Sequence, residues 1–412
     1  MERTAVVIGG GASGIFCAIN LARESENVRV IVLEKSARLL AKVSISGGGR
    51  CNVTHDCSDI RDMAEAYPRG KHFVRKAFHT FFSPDTVDWF ASRGVKLKTE
   101  KDGRMFPVTD SSATIINCLL READQFKVDI RIQTAVTGLR RRDEKWEIDT
   151  ERGHVKEKVE ADFVCVATGG YPKATQYDWL RETGHSIVPP VPSLFTFNAP
   201  DDPITKLMGI SAEKAEIRIP AWKIRETGPV LITHWGVSGP AVIRLSAWLA
   251  RDMHACDYTT TVWINWLPSY TEQSFRETLH GYRNTHGSES VIGKSPFGLA
   301  NRLWEYLAKK AGVEQETWAR LPAAVQNKLA SLVTAYPLVI KGKTTFKEEF
   351  VTAGGISTSE VNPDTMESRL QPRLYFTGEV LDVDGITGGY NFQHAWTSGM
   401  KAARHISLNT VS

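Results

Sequence analysis

Three glycines and one acid near the start of the chain have the spacing to hold a dinucleotide. Gly9, Gly11 and Gly14 form a G-x-G-x-x-G turn that follows the β-branched apolar run Thr4-Ala5-Val6-Val7-Ile8 and opens a helical pattern through about Arg23. A second apolar run, 28–33, ends at Glu34, twenty residues beyond Gly14. Strand, glycine turn, helix, strand and acid make up the dinucleotide-binding fingerprint, and each part has a physical reason. Gly9 permits the tight turn, Gly11 lets the backbone approach a pyrophosphate, and Gly14 allows close helix–strand packing. Ala12 and Ser13 begin the helix, whose N–H groups are donors for the phosphates. Glu34 can accept hydrogen bonds from the hydroxyls of an adenosine ribose, and its charge repels a 2′-phosphate. FAD and NAD share this half of the recognition, so the fingerprint alone does not choose between them.

The positioning elements recur later in the chain. Residues 162–166 read as a buried strand running into the small-residue turn Ala167-Thr168-Gly169-Gly170. Leu374-Tyr375-Phe376 reads as a third strand, ending at Gly378-Glu379, and Gly388-Gly389-Tyr390-Asn391 leads into a helical stretch to about His405. This order resembles the FAD-binding fold of flavoproteins built on two dinucleotide domains. That resemblance implies a late acid near the ribityl chain and a helix N-terminus aimed at the flavin pyrimidine ring, where its positive end stabilises a reduced, anionic flavin.

The resemblance narrows at Lys42 with Ser46-Gly47-Gly48-Gly49-Arg50-Cys51-Asn52-Val53-Thr54, and at Gly103-Arg104-Met105-Phe106-Pro107. It narrows further at Thr233-His234-Trp235-Gly236-Val237-Ser238-Gly239-Pro240, at Thr352-Ala353-Gly354-Gly355, and from Gly378 to Gln393. Together these motifs are similar to the bacterial FAD-dependent flavoprotein family that includes aminoacetone oxidase and the 3-dehydro-bile-acid reductases. The resemblance spans nearly the whole chain. It implies flavin contacts from Glu34, Lys35, Lys42, the loop Gly47, Gly48, Gly49, Arg50, Cys51 and Asn52, from Gly378 and Glu379, and from Gly388, Gly389, Tyr390, Asn391 and Phe392. By the same analogy the Val136 backbone lies near the adenine. Three consecutive glycines let a main chain lie against a planar ring, and Lys42 can neutralise phosphate charge. His55 departs from the asparagine expected after the threonine.

The expected fold class is α/β: a discontinuous Rossmann-type FAD-binding domain, 1–188 with 348–412, carrying an insertion. Short strands at 215–219, 230–234 and 260–266 suggest a barrel-like insert, 189–270 with 336–347. Amphipathic runs at 273–282, 297–310 and 323–334 suggest a helical subdomain, 271–335. Substrate is expected over the flavin between FAD domain and insert. Residues 128–136 and 146–150 read as paired strands around the basic turn Arg140-Arg141-Arg142.

Composition bounds the function. The 51 Lys and Arg against 47 Asp and Glu make no evident polyanion-binding surface, so no nucleic-acid partner is expected. Six cysteines without a CxxC pair fit a reducing compartment, the cytoplasm, and apolar runs broken within about ten residues are too short to span a membrane. No metal site is indicated. Leu303, Trp304, Tyr306 and Leu307 recur at helical spacing and read as core, and His234 reads as a structural histidine more readily than as a proton donor. Cys51 and Cys57 are five residues apart in their intervening count, against the four of a disulfide reductase.

The leading expectation is an FAD-dependent oxidoreductase that transfers hydride at flavin N5 to or from a small organic substrate. NAD(P)H, bound transiently for lack of a second fingerprint, or oxygen is its redox partner. A flavin-dependent RNA modifier or a noncatalytic redox-sensing flavoprotein is the alternative, with a disulfide reductase using Cys51 and Cys57 behind it. No catalytic side chain is assigned.

Overall fold

The computed structural model describes residues 2–344 and 351–410. The chain divides into two compact units, Met1–Ser193 with Lys347–Ser412, and Leu194–Phe346. The expected boundary at 347/348 lies outside the described residues.

In the first unit, β1 (Arg3–Ile8) is central to a five-stranded parallel sheet. It pairs on one side with β2 (Val28–Leu33), which pairs in turn with Asp129–Arg131. On the other side lies Phe163–Val166 and beyond it Leu374–Phe376. Strands covered on both faces need apolar residues throughout, and Phe163–Val166 and Leu374–Phe376 are buried at every position. Successive strands leave β1 in opposite directions, so the switch point at which α/β sheets bind ligands lies at the carboxyl ends of β1 and Phe163–Val166. Helix α1 (Ala12–Glu24) covers the sheet, and the C-terminal helix, Tyr390–Thr410, crosses α1 closely. A Cβ on Gly399 would come within 2.7 Å of Ser13 O, so glycine sets how near that crossing can be.

The stretch 128–136 is two elements rather than the single strand expected. Asp129–Arg131 joins the parallel sheet, the chain turns through Gln133 at φ 54, and Ala135–Arg142 begins an antiparallel sheet with Lys145–Arg152 and Val155–Ala161. The arginine run ends the first strand of this hairpin, and the turn itself is Asp143-Glu144.

The second unit holds a seven-stranded antiparallel sheet and helices. Its edge strands, Tyr336–Lys341 and Lys343–Thr344, are consecutive in sequence, joined by Gly342 at φ 98. Gly342 donates to Tyr258 O (2.9 Å) and accepts from Asn198 N (3.1 Å), which draws the two ends of the sheet together. Helices Glu272–Thr285, Asn301–Ala311 and Ala323–Thr334 supply a shared apolar core with the sheet. Helix Pro240–Trp248, inside the stretch expected to be strands and turns, also packs into that core. Leu303, Trp304 and Leu307 are buried, and Tyr306 is partly so. His234 is exposed in a turn after strand Ile224–Ile232, with its ring 4.4 Å from that of Trp235.

Among the described residues no helix is long and apolar enough to cross a membrane, and no cluster of His, Cys, Asp or Glu could hold a metal ion.

Candidate functional site

The fingerprint glycines close on one another as their spacing requires. A Cβ on Gly14 would stand 2.0 Å from Gly9 O, and one on Gly9 (φ 116) 2.4 Å from Ala167 O. Nothing lies within 4 Å of the Cβ position on Gly11, which leaves its backbone open to a ligand. Gly11 is the N-cap of α1 and gives no side-chain cap, and the first turn carries no acid, so the positive helix end is left for an anion. Ala167 N donates to Ile8 O at 2.8 Å, which sets the turn of Thr168 and Gly169 (φ 75) beside the first glycine turn.

Glu34 follows β2, and its carboxylate is partly engaged. Oε2 accepts from Gly10 N and Oε1 from Ser36 N, both at 2.7 Å. Two such bonds leave further lone pairs for a ribose. Thr134 N donates to Glu34 O at 2.8 Å, so Val136, two residues on and half-buried, is drawn toward the same end. Lys35 is exposed, its ammonium 5.2 Å from the Tyr171 ring centre.

The helical stretch that contains Lys42 breaks at Ser46, after which Gly47, Gly48 and Gly49 take φ 58, 68 and 83. Glycine takes that left-handed conformation without the steric penalty of a Cβ. A Cβ on Gly47 would meet the Phe106 ring at 2.8 Å, whereas the Cβ positions of Gly48 and Gly49 face open space. Arg50 is held by Glu100 at 2.6 Å over the face of Phe106, 4.0 Å from the ring centre, and so fastens the loop to strand Arg104–Pro107. With its amide oriented to satisfy both ends, Asn52 accepts from Gly389 N at 2.9 Å and donates to Thr54 O at 3.1 Å. The glycine loop is thereby joined to the turn before the C-terminal helix.

At that turn Gly388 and Gly389 take φ 138 and 95, and a Cβ on Gly389 would lie 2.5 Å from Thr54 C and O. The helix that follows carries no acid in its first turn. Gly378 (φ 70) donates its N–H to Ser398 Oγ at 2.9 Å, and a Cβ there would meet Ser13 Oγ at 2.5 Å. The half-buried Phe392 ring stacks on Trp396, 5.8 Å away.

Several of the expected site side chains have partners within the protein. Lys42 Nζ lies 2.7 Å from Glu379 Oε2. Glu379 Oε1 also accepts from Thr352 N at 2.9 Å. Asn391 commits its amide to Gly385, accepting from N and donating to O at 2.9 Å each. Cys51 is fully buried, and burial pushes its thiol up to about 12, the reverse of what an exchange thiol needs. Burial also raises the Cys57 thiol, and both cysteines are free. Both shifts run opposite to the lowered value of an exchange thiol.

Sequence reasoning missed a buried network behind the turn. Gln393 Oε1 accepts from Thr54 Oγ1 (2.6 Å) and Thr86 Oγ1 (3.0 Å), and its Nε2 donates to Thr397 Oγ1 (3.1 Å). It also missed Asp384, fully buried and gripped by Arg69 through both carboxylate oxygens, with Ser193 Oγ donating at 2.8 Å. Burial raises the Asp384 carboxyl, with Arg69 pulling the other way.

Two helix starts without acid, a Glu34 carboxylate with lone pairs to spare and open Cβ positions at Gly11, Gly48 and Gly49 fit an extended dinucleotide with a planar ring. The fold and these loops define an FAD-dependent oxidoreductase of the Rossmann type. The chain belongs to the HI0933-like family: its residues 3–405 match the HI0933-like protein Rossmann domain. It is 31% identical over 421 residues to the 3-dehydro-bile acid delta(4,6)-reductase of Clostridium scindens, covering 97% of each chain. It is 29% identical over 419 residues to the ribosomal RNA dihydrouridine synthase of Escherichia coli, covering 98% of each. Among solved structures, the 3-ketosteroid-delta4-(5alpha)-dehydrogenase of Rhodococcus jostii RHA1 is similar in fold, with TM-score 0.51 at 13% identity over 98% of this chain and 97% of that one.

Proposed function

We propose that this protein is a reductase that saturates a carbon–carbon double bond activated by a neighbouring carbonyl, on a small organic substrate, with NAD(P)H as electron donor or oxygen as acceptor in the reverse sense. The observation that carries the reading is the convergence of α1, the Gly47–Gly49 loop and the Gly388-Gly389 turn in one unit, with both helix starts free of acid. The names of the two relatives share this chemistry: one reduces a bile acid bearing a 3-oxo group, the other a uracil ring in RNA. We place the flavin domain at 1–188 with 348–412 and the protein in the cytoplasm, where free thiols persist.

In this reading the N–H groups at Gly11, Ala12 and Ser13 hold the pyrophosphate, and Glu34 holds the adenosine ribose with Val136 and Lys35 beside it. Ala167, Thr168 and Gly169 flank the phosphates, with Gly9 and Gly14 making room. Glu379, oriented by Lys42 and Thr352 N, faces the ribityl chain next to Gly378. Gly47, Gly48 and Gly49 lie along the ring, backed by Arg50, Cys51 and Asn52. The helix start at Tyr390, Asn391 and Phe392 presents its positive end to the pyrimidine edge, Asn391 through its backbone. Bound FAD would supply hydride exchange at N5.

The test is an anaerobic absorbance titration with NADH and then NADPH, followed by air. Bleaching of a band near about 450 nm supports the reading, and its recovery rate in air separates reductase from oxidase. Purified protein without a flavin spectrum sinks it. Glu34→Arg is expected to lower FAD occupancy by removing the ribose and Gly10 bonds, and full occupancy in that variant refutes the role of Glu34.

A second reading, reduction of uridine in RNA, draws on near full-length similarity to two ribosomal RNA dihydrouridine synthases, at 29% and 28% identity. Filter binding to ribosomal RNA decides it: a salt-sensitive micromolar complex favours RNA, and its absence leaves the small substrate.

A further inference from the structure

His55 is held at the glycine turn by a hydrogen bond and by packing. Its Nδ1 lies 3.1 Å from Gly388 O. A carbonyl only accepts, so Nδ1 carries the proton in the neutral ring and Nε2 is where a second proton enters. The ring stacks on Tyr390, 4.7 Å between centroids at 23°. On Gly103, near Nε2, even a Cβ would come within 2.4 Å of that atom. The half-buried imidazole is therefore wedged at the turn two residues before Tyr390, which begins the acid-free helix start.

We propose that His55 tunes the redox poise of the flavin. A proton taken up at Nε2 adds a positive charge to the helix dipole and favours the negative charge that two-electron reduction brings to the pyrimidine edge. The inference rests on the placement of that edge proposed above. The neighbouring charges are largely balanced. Arg104, opposite His55 on the paired strand, is held by Glu100 at 2.9 Å and Asp102 at 2.8 Å. Glu100 also accepts from Arg50, and Asp56 follows in the chain. On the helix side are the phenols of Tyr390 and Tyr67, the latter raised by burial and donating to Tyr390 O at 2.6 Å. Were reduction of bound FAD accompanied by proton uptake at His55 Nε2, the potential would fall more steeply with pH in the unsubstituted protein than in a variant that lacks the imidazole.

The experiment measures the potential of bound FAD from about pH 5 to about pH 8.5 by dye-coupled reduction of the holoprotein, His55→Asn and His55→Phe. Phe keeps a ring against Tyr390 but takes no proton, and Asn keeps polarity without the charge. The unsubstituted protein is expected to exceed both variants at acid pH by about a tenfold change in the reduced-to-oxidised ratio, about 30 mV for a two-electron couple. The gap closes as the pH rises. Parallel profiles in proteins that retain FAD, or a gap independent of pH, overturn the proposal while the flavin site stands. Absence of FAD from the unsubstituted protein overturns the placement itself.

Discussion

Both units bury large aromatic rings, but the first also bends its backbone into two joined glycine loops where a ligand would lie. In the first, Gly47, Gly48, Gly49, Gly388 and Gly389 all take positive φ in two loops that Asn52 joins. In the second, Trp266, Trp304 and Trp318 are among the largest fully buried side chains, and Trp304 Nε1 donates to Val291 O at 2.8 Å. A nucleotide site made of backbone N–H groups needs residues that let the main chain come close, and those residues write themselves as short motifs. A unit made of side-chain packing writes itself only as periodicity, and periodicity names no ligand. Substitutions in the two units should therefore separate stability from flavin binding.

The largest expected effect is on the packed side of that contrast. Trp304→Ala removes a ring that meets Phe297 at 5.5 Å and Trp318 at 6.1 Å and leaves Val291 O without its donor. It should destabilise the second unit by about 3–5 kcal/mol, read by urea unfolding, while the folded protein keeps its FAD content. Loss of FAD affinity in the folded variant would break the separation.

Acid should act on the other unit. His394, buried in the C-terminal helix with Nε2 3.3 Å from Gly378 O, is held down to about 4 by burial, from an ordinary value of 6.5. His185, also buried in the first unit, is lowered for the same reason. A base with a depressed folded value binds fewer protons than the unfolded chain between the two values. The stability contribution is therefore whole above about pH 6.5 and is lost as pH falls toward 4, by at most about 3 kcal/mol for His394. His394→Gln should flatten that part of the profile. The raised Asp384 carboxyl acts in the opposite sense but is common to both proteins, so the difference between them isolates His394. Equal acid slopes would show that the imidazole is not kept neutral.

What the sequence displayed follows the same division. β1, α1 and β2 were legible because apolar runs met glycines at fixed offsets, and helix Ala323–Thr334 because its period was unbroken. The break within 128–136 was not, since a left-handed Gln133 is set by its bond to Ser36 O (3.0 Å), far away in the chain. Asn391 looked like a ligand because polar residues in a motif do, yet Gly385 takes both ends of its amide. The Thr54, Thr86 and Gln393 network was invisible for the complementary reason: Gln393 lies more than three hundred residues from both threonines, and each alone is an ordinary polar side chain. Cys51 read as a redox candidate until its burial was known.

The smallest effect tests the comparison most closely, because it uses the same substitution in both units. Gly48 has φ 68 with nothing within 4 Å of its Cβ position, and Gly312, which ends helix Asn301–Ala311, has φ 107 with only Val325 Cγ2 at 3.9 Å. Neither Gly48→Ala nor Gly312→Ala creates a clash, so each should cost only the left-handed strain, about 1–2 kcal/mol. The two should differ in flavin. A methyl at Gly48 stands in the open space against which the ring is proposed to lie and should weaken FAD binding by about tenfold, read by fluorescence as the apoprotein is titrated with FAD. Gly312→Ala should leave that affinity unchanged. Equal affinities in the two variants would mean that the glycine loop serves the fold as the helix end does, and the flavin ring would have to be placed elsewhere in the first unit.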